Sequence, residues 1–322
     1  MRKLLAGVIL FLIINNVYSQ QAAVDTTKQE SPFLSLIYAN RQLTYFTFFQ
    51  GLGNLPPLLT EMGFSGSYFL KRNNIWALEA NLNMVLRIRN ETSFPVSPPS
   101  YNPVLTYYRD INRWKSSFMS KLLLDHAYWE LSVGHHSNGK AGQFYILDSL
   151  GNTTKKIDLD NANFSTDYLE GGFTTFSNRK NGTNGKFISS FRLAFRMYPE
   201  KLSSKELKDM YGFYRMFASY NIFGFPWGAN HGAENFFTKS RLRLHSGWIF
   251  GKISDSPPDE AKKRLIADVT WFYYPGWLAE IGFFIQYYRG QDYYNVQFRR
   301  TVEMFRIGIS SNPINFGILN DL

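Results

Sequence analysis

The sequence predicts an all-β chain closed into a single antiparallel transmembrane β-barrel of about twelve strands. Three observations carry that expectation. Aromatic residues make up 17% of the 322 residues, with 29 Phe, 20 Tyr and 7 Trp. Beyond the first twenty residues, no apolar run reaches the roughly 20 residues that a membrane-crossing helix needs. Segments of about ten residues with alternating polarity recur from end to end, separated by polar or Gly/Pro/Asn-rich turns. Only helices and closed barrels satisfy the backbone inside a bilayer, so an aromatic, alternating chain without helical spans points to the barrel. A secreted soluble β-protein is the alternative that composition alone leaves open.

The N-terminus is expected to be an export signal. Met1-Arg2-Lys3 gives a positive start, Leu4 to Ile14 is an uncharged apolar run, and Val17-Tyr18-Ser19 places small residues where a signal peptidase reads. Residues 1–19 are therefore read as a signal peptide and residues 20–322 as one barrel domain of the bacterial outer membrane. The chain has no cysteine, which excludes disulfides, thiolate metal sites and lipoprotein attachment. Stability must come from extensive packing or from a membrane. The formal charge of +10 suits acidic neighbours, and Lys262-Lys263-Arg264 and Arg299-Arg300 are basic clusters that lipid phosphates would suit. Nucleic acid is not an expected partner of an exported chain.

The strands are read in order as Leu34–Ala39, Gly63–Lys71, Trp76–Arg89, Val104–Asp110, Leu124–Ser137 and Ser165–Phe176. Phe187–Tyr198, Tyr211–Phe223, Ser240–Ile253, Leu265–Tyr274, Leu278–Arg289 and Val296–Ser310 complete the set. Bacterial barrels have even strand numbers, and this set agrees. Long polar stretches at Gly139–Asn163 and Asn178–Lys186 are read as loops. Long loops of such barrels are extracellular, so the strand ending at Ser137 runs outward, toward the outer leaflet.

That strand carries the chemistry. One face reads Trp129, Leu131, Val133, His135, Ser137, and the other reads Tyr128, Glu130, Ser132, Gly134, His136. A lipid-facing surface is apolar and a lumen is polar, so parity sends His135 and Ser137 to the outside with Leu131 and Val133. A histidine and a serine directed at hydrocarbon cost free energy unless they bond each other or lie at the interface. An imidazole within reach of a hydroxyl is the minimum for an activated serine nucleophile. At the membrane edge its substrate would be an acyl ester of a lipid. The structural alternative is a strand simply leaving the bilayer into an Asn-Gly turn.

The string His135-His136-Ser137-Asn138-Gly139 resembles the active-site motif of the outer-membrane phospholipase A family. Further segments are similar in the same order: Tyr101-Asn102-Pro103, Met210-Tyr211-Gly212-Phe213-Tyr214, Tyr273-Tyr274-Pro275, Gln286-x-Tyr288-x-Gly290 and Arg306-Ile307-Gly308. The resemblance implies a twelve-stranded barrel, hydrolysis of phospholipid acyl esters, dependence on calcium and a reversible homodimer. It assigns Ser137 as nucleophile and His135 as general base. The family's third member is an asparagine in a Ser-x-Asn string, where this chain has Ser165-Thr166-Asp167. Asp167 shares parity with Leu169 and Phe173, and a carboxylate can orient the imidazole. Glu170 is the nearby rival, with parity toward the lumen.

By the same resemblance, calcium takes loop oxygens beside the nucleophile, as a hard cation requires. Asp158, Asp160, Lys140 and Ser165, in or beside the loop after Ser137, are the candidate ligands, with Asn161 as a further oxygen source. Two other functions remain in view. Small lipid A deacylases also carry a His-x-Ser pair with a carboxylate, and a non-catalytic barrel would act as a pore.

Overall fold

The computed structural model describes residues 31–49, 51–92, 96–111, 125–180, 186–225, 235–253, 256–278 and 280–311. The expected signal peptide, 1–19, lies outside the described residues. The chain divides into a segment Met1–Pro32 and a compact unit Phe33–Leu322, and the barrel belongs to the second. A helix, α1 (Pro32–Asn40), precedes the strands β1 (Tyr45–Thr47), β2 (Leu52–Gly53), β3 (Leu58–Arg72), β4 (Trp76–Arg89), β5 (Ser100–Asp110) and β6 (His126–Ser137). A small hairpin, β7 (Tyr145–Leu147) and β8 (Thr153–Ile157), stands in the loop that follows. Then come β9 (Ser165–Lys180), β10 (Lys186–Met197), β11 (Tyr214–Phe223), β12 (Ser240–Phe250), β13 (Leu265–Tyr273), β14 (Ile281–Gln291) and β15 (Thr301–Ser311). A single-turn helix, α2 (Ala261–Arg264), leads into β13.

Apart from the hairpin, each strand from β3 onward pairs antiparallel with the next. The circuit closes where β1 pairs with both β3 (Tyr45 opposite Gly63) and β15 (Phe46 opposite Ile309). The short β2 pairs further along β15, with Leu52 opposite Phe305, so β1 and β2 are two pieces of one wall position. Twelve wall positions result, and among the described residues the barrel wall has no free edge strand.

Strand alternation decides what faces where. In β15, Met304 and Arg306 are 1% and 6% exposed, whereas Phe305 and Ile307 are 44% and 46% exposed. The same period-two pattern in β6, β13 and β14 gives an apolar exterior and a polar interior. The interior is laced by ion pairs. Arg87 Nε donates to Glu61 at 2.7 Å and its Nη1 to Asp292 at 2.9 Å, and Arg306 also pairs with Glu61. Arg192 Nε donates to Glu130 at 2.6 Å, and Glu170 accepts from both Arg192 and Arg196 at 2.6 Å. Glu61–Arg87 and Glu170–Arg196 are cross-strand partners on neighbouring strands, whereas Arg87–Asp292, Arg306–Glu61 and Arg192–Glu130 join elements that are not adjacent in the wall.

The segment Leu34–Ala39, expected to be the first strand, is instead part of helix α1. Phe33, Leu34, Leu36, Ile37 and Ala39 are all buried, against Ala77, Tyr128, Phe176, Ile188 and Phe223 of the inner wall. A short run apolar on every side does not distinguish a buried helix from a buried strand. The true first strand lies a few residues later, at Tyr45–Thr47.

Helix α1 fills the lumen at one end. At the other, Phe164, Tyr198, Tyr211, Phe213 and Phe298 pack into an aromatic cluster. Between the two lies a polar cavity of about 560 Å³. The aromatic end gathers the connection 138–164, the longest between wall strands, together with 198–213, while the α1 end holds the tight turn 73–75 and the connection 224–239. Long loops mark the extracellular side of a membrane barrel. Of the basic clusters, Arg264 turns inward: it is 2% exposed and donates to the carbonyls of Ile249, Gly251, Ser256 and Pro257. It ties a loop together and does not face phosphates.

Candidate active site

Strand β6 delivers Ser137 and His135 at the long-loop end, on the outer face. Leu131 and Val133 below them are each 52% exposed, while Ser132 and Glu130 are buried inside. On β9, Asp167 stands directly opposite His135, and Ser165 opposite Ser137. Cross-strand partners share a face, so the three candidate catalytic residues sit together on the outside. His135 Nδ1 and Asp167 Oδ1 are 2.6 Å apart, with side chains 44% and 38% exposed. A carboxylate only accepts, so Nδ1 carries the proton and Nε2 is left as the basic nitrogen. The Ser137 hydroxyl lies two residues further on, on the same face, without a hydrogen bond to the ring among the described contacts. Catalytic bonds of unliganded enzymes are often long and tighten on substrate binding.

The surroundings fix this pair. His136, on the inner face, bonds Ser100 Oγ at 2.7 Å and packs edge-on against Phe164. Gly134 makes room for Tyr168: any β-carbon there would run into the Tyr168 ring, which crosses under the strand to bond Asn102 at 3.0 Å. Asn138 is buried and clamps the turn, donating to the Ala162 carbonyl at 2.8 Å and accepting from the Phe164 N–H at 3.1 Å. Gly139 adopts φ +65°, which completes the turn. On the far side, the Ser204 N–H and hydroxyl donate to the Ser165 carbonyl at 2.8 and 3.0 Å, and Ser203 meets Thr166 at 2.7 Å. The β10–β11 loop thereby braces the entrance of β9 next to Asp167. On the β5 side the ladder pairs Tyr101 with Ser137 and Val104 with Gly134 but skips the positions between. Pro103 has no N–H to give there.

Glu170, the rival carboxylate, lies inside, buried between Arg192 and Arg196, and does not reach His135. The clamp made by Asn138 and Ser204 was not assigned from sequence. The Asn-Gly turn hinted at the first, but nothing in sequence links Ser204 to Ser165.

The four calcium candidates are not gathered into an oxygen cage. Asp158 Oδ1 accepts the N–H groups of Asp160 and Asn161 at 3.0 and 2.9 Å, the work of a turn. Asp160 points toward Arg89 at 3.6 Å. The Ser165 backbone N–H and carbonyl both bond Ser204, and the Lys140 side chain offers no acceptor. Among the described residues no three His, Cys, Asp or Glu converge on a metal position. This donor set does not fit calcium within one chain. In the hairpin tip, the Asn152 and Leu150 N–H groups reach Asp148 at 2.8 and 2.9 Å and hold its carboxyl below the usual carboxylate range.

No protein-family model matches the chain, and no curated protein sequence matches it significantly. Solved structures do resemble it. Outer membrane phospholipase A from Escherichia coli is 12% identical, with 84% of this chain and 97% of that chain covered and a TM-score of 0.49. The Salmonella typhi outer membrane phospholipase dimer with bound calcium is also 12% identical, covering 84% and 89%, with a TM-score of 0.48. A Rh. blastica porin is 9% identical, covering 84% and 96%, with a TM-score of 0.27. At these levels the likeness is one of barrel architecture.

Proposed function

We propose that the protein is an outer-membrane serine esterase that hydrolyses acyl esters of phospholipids at the barrel's outer surface. The observation that supports this most is the His135–Asp167 pair, held outward beside Ser137 on a lipid-facing wall. A buried polar group in a lumen needs no further reason. An imidazole and a carboxylate paired on an apolar exterior carry a desolvation cost that a purely structural role does not explain.

In this reading His135 Nε2 takes the proton from Ser137 Oγ as that oxygen attacks the acyl carbonyl. The Asp167 carboxylate steadies the imidazolium that forms. His135 then protonates the departing lysolipid oxygen, and the acyl group is left as an ester on Ser137. Water, activated by the same imidazole, releases the fatty acid and restores the hydroxyl. No step is routed through calcium, because the candidate ligands in this chain do not converge. Membrane phospholipid as substrate, a reversible homodimer and export by residues 1–19 belong to the same proposal.

The carboxylate at position 167 favours one second reading, deacylation of lipid A, since lipid A deacylases resemble this site in having an acidic third member. A pore is less well supported: helix α1 and the Phe164 cluster occupy the two ends of the lumen. The test is fatty-acid release by purified protein in detergent micelles, from phosphatidylethanolamine and from lipid A, with calcium or chelator. Release from phosphatidylethanolamine that disappears in Ser137→Ala is expected. Equal release by both proteins rules out the site, and preference for lipid A selects the second reading.

A further inference from the structure

The outer wall below the catalytic pair is a lattice of bulky side chains with one vertex missing. Moving down from His135 and Asp167, the next cross-strand pair is Val133 with Leu169, and the next is Leu131 with Gly171. Gly171 also faces Phe195 of β10, and Phe173 lies two residues below it. All five neighbours are apolar and outward-facing. A β-carbon added at Gly171 would meet nothing within 4 Å. The result is an open apolar groove of about 430 Å³ in the wall, floored by Gly171.

We propose that this groove seats the distal part of the acyl chain whose ester is attacked at Ser137, making Gly171 a determinant of chain-length preference. The inference rests on the esterase reading above and adds its substrate class. Gly171 is six residues along β9 from Ser165, the partner of Ser137. At ~3.3 Å per residue that is about 20 Å along the strand. A tilt of ~45° turns it into roughly 14 Å of membrane depth. One leaflet of hydrocarbon is about 15 Å thick, half of the ~30 Å core. A leaflet-length chain with its carbonyl at Ser137 therefore ends over Gly171, and a four-carbon chain stops far short of it. Below the His135–Asp167 pair, the apolar pair Val133 and Leu169 stands between the site and the groove. A chain lying there is also tethered to the reacting carbonyl, which sets it apart from bulk lipid against the rest of the wall.

The test compares hydrolysis of butyryl and palmitoyl esters of one alcohol in the same micelles. The proteins are wild type, Gly171→Ala, Gly171→Trp and, as a control on a distant outer face, Leu244→Trp. Filling the groove is expected to lower kcat/KM for palmitoyl about tenfold, the scale on which an apolar pocket discriminates among chains. Butyryl hydrolysis should stay unchanged, and Gly171→Ala should fall between. If Gly171→Trp loses activity on both esters for want of folding, the ratio in Gly171→Ala decides. A ratio unchanged in every Gly171 variant that hydrolyses butyryl ester overturns the groove while leaving the esterase intact. An unchanged ratio with loss of cross-linked dimer in Gly171→Trp overturns it in favour of a second copy as occupant. If wild type cleaves neither ester, or Ser137→Ala cleaves both, the esterase reading itself has failed.

Discussion

His135 and His136 are neighbours in sequence and opposites in environment. His136 faces the lumen, bonded to Ser100 and packed on Phe164. His135 faces outward, bonded to Asp167 with nearly half its surface accessible. The same contrast repeats one strand over: Glu170 is buried between two arginines, whereas Asp167 is half-exposed with an imidazole for a partner. These inward polar groups are matched by partners on the inner wall. The outer pair sits on an oily surface, where its presence calls for a chemical reason. Polarity alone therefore says little in such a barrel, and the face on which a polar group sits says most.

The largest expected effect breaks the outer side of this contrast. His135→Ala should reduce fatty-acid release by about 10⁴-fold or more, as removal of the base does in serine hydrolases generally, with the barrel's thermal transition unchanged. A loss of only a few-fold would remove His135 from the chemistry.

The inner side should respond in stability. Glu170→Gln strips a buried carboxylate from two guanidinium groups, and breaking such a pair costs about 3–5 kcal/mol. Denaturant unfolding in micelles should shift accordingly, while the folded fraction keeps its hydrolytic rate. A specific loss of turnover with no shift in unfolding would mean that Glu170, and not Asp167, serves the imidazole.

Asp167→Asn is expected to cost roughly tenfold in kcat. The amide oxygen still accepts from Nδ1–H but no longer offsets the imidazolium charge, a difference of about 1.4 kcal/mol. Rescue to that level, set against a much deeper loss in Asp167→Ala, would identify it as a positioning residue. Equal losses in the two variants would contradict that role. The smallest effect belongs to His136→Gln, where hydrolysis should stay within about fivefold, because one neutral hydrogen bond is worth about 1 kcal/mol.

Parity made much of this legible before any coordinates. Trp129, Leu131 and Val133 on one face of β6 are enough to turn His135 outward and His136 inward, since a period of two leaves no third choice. The same rule separated Asp167 from Glu170. What escaped was whatever depends on tertiary surroundings. The run Leu34–Ala39 is buried on nearly every side because it plugs a lumen end lined with aromatics, and it reads equally well as a strand. The pairing of Glu61 with Arg306 joins residues at opposite ends of the chain, brought together only by barrel closure. Asp158 and Asp160 read as cation ligands because they are acidic and lie in the loop that follows Ser137. One is occupied by its own turn and the other points to Arg89.

The most direct measurement is covalent labelling of the folded protein by a long-chain fluorophosphonate, with the modified residue located by mass spectrometry. A single adduct should form on Ser137, drop to background in His135→Ala and persist in His136→Gln. Labelling that ignores His135, or an adduct on another residue while Ser137 stays unmodified, would contradict an outward-facing serine nucleophile.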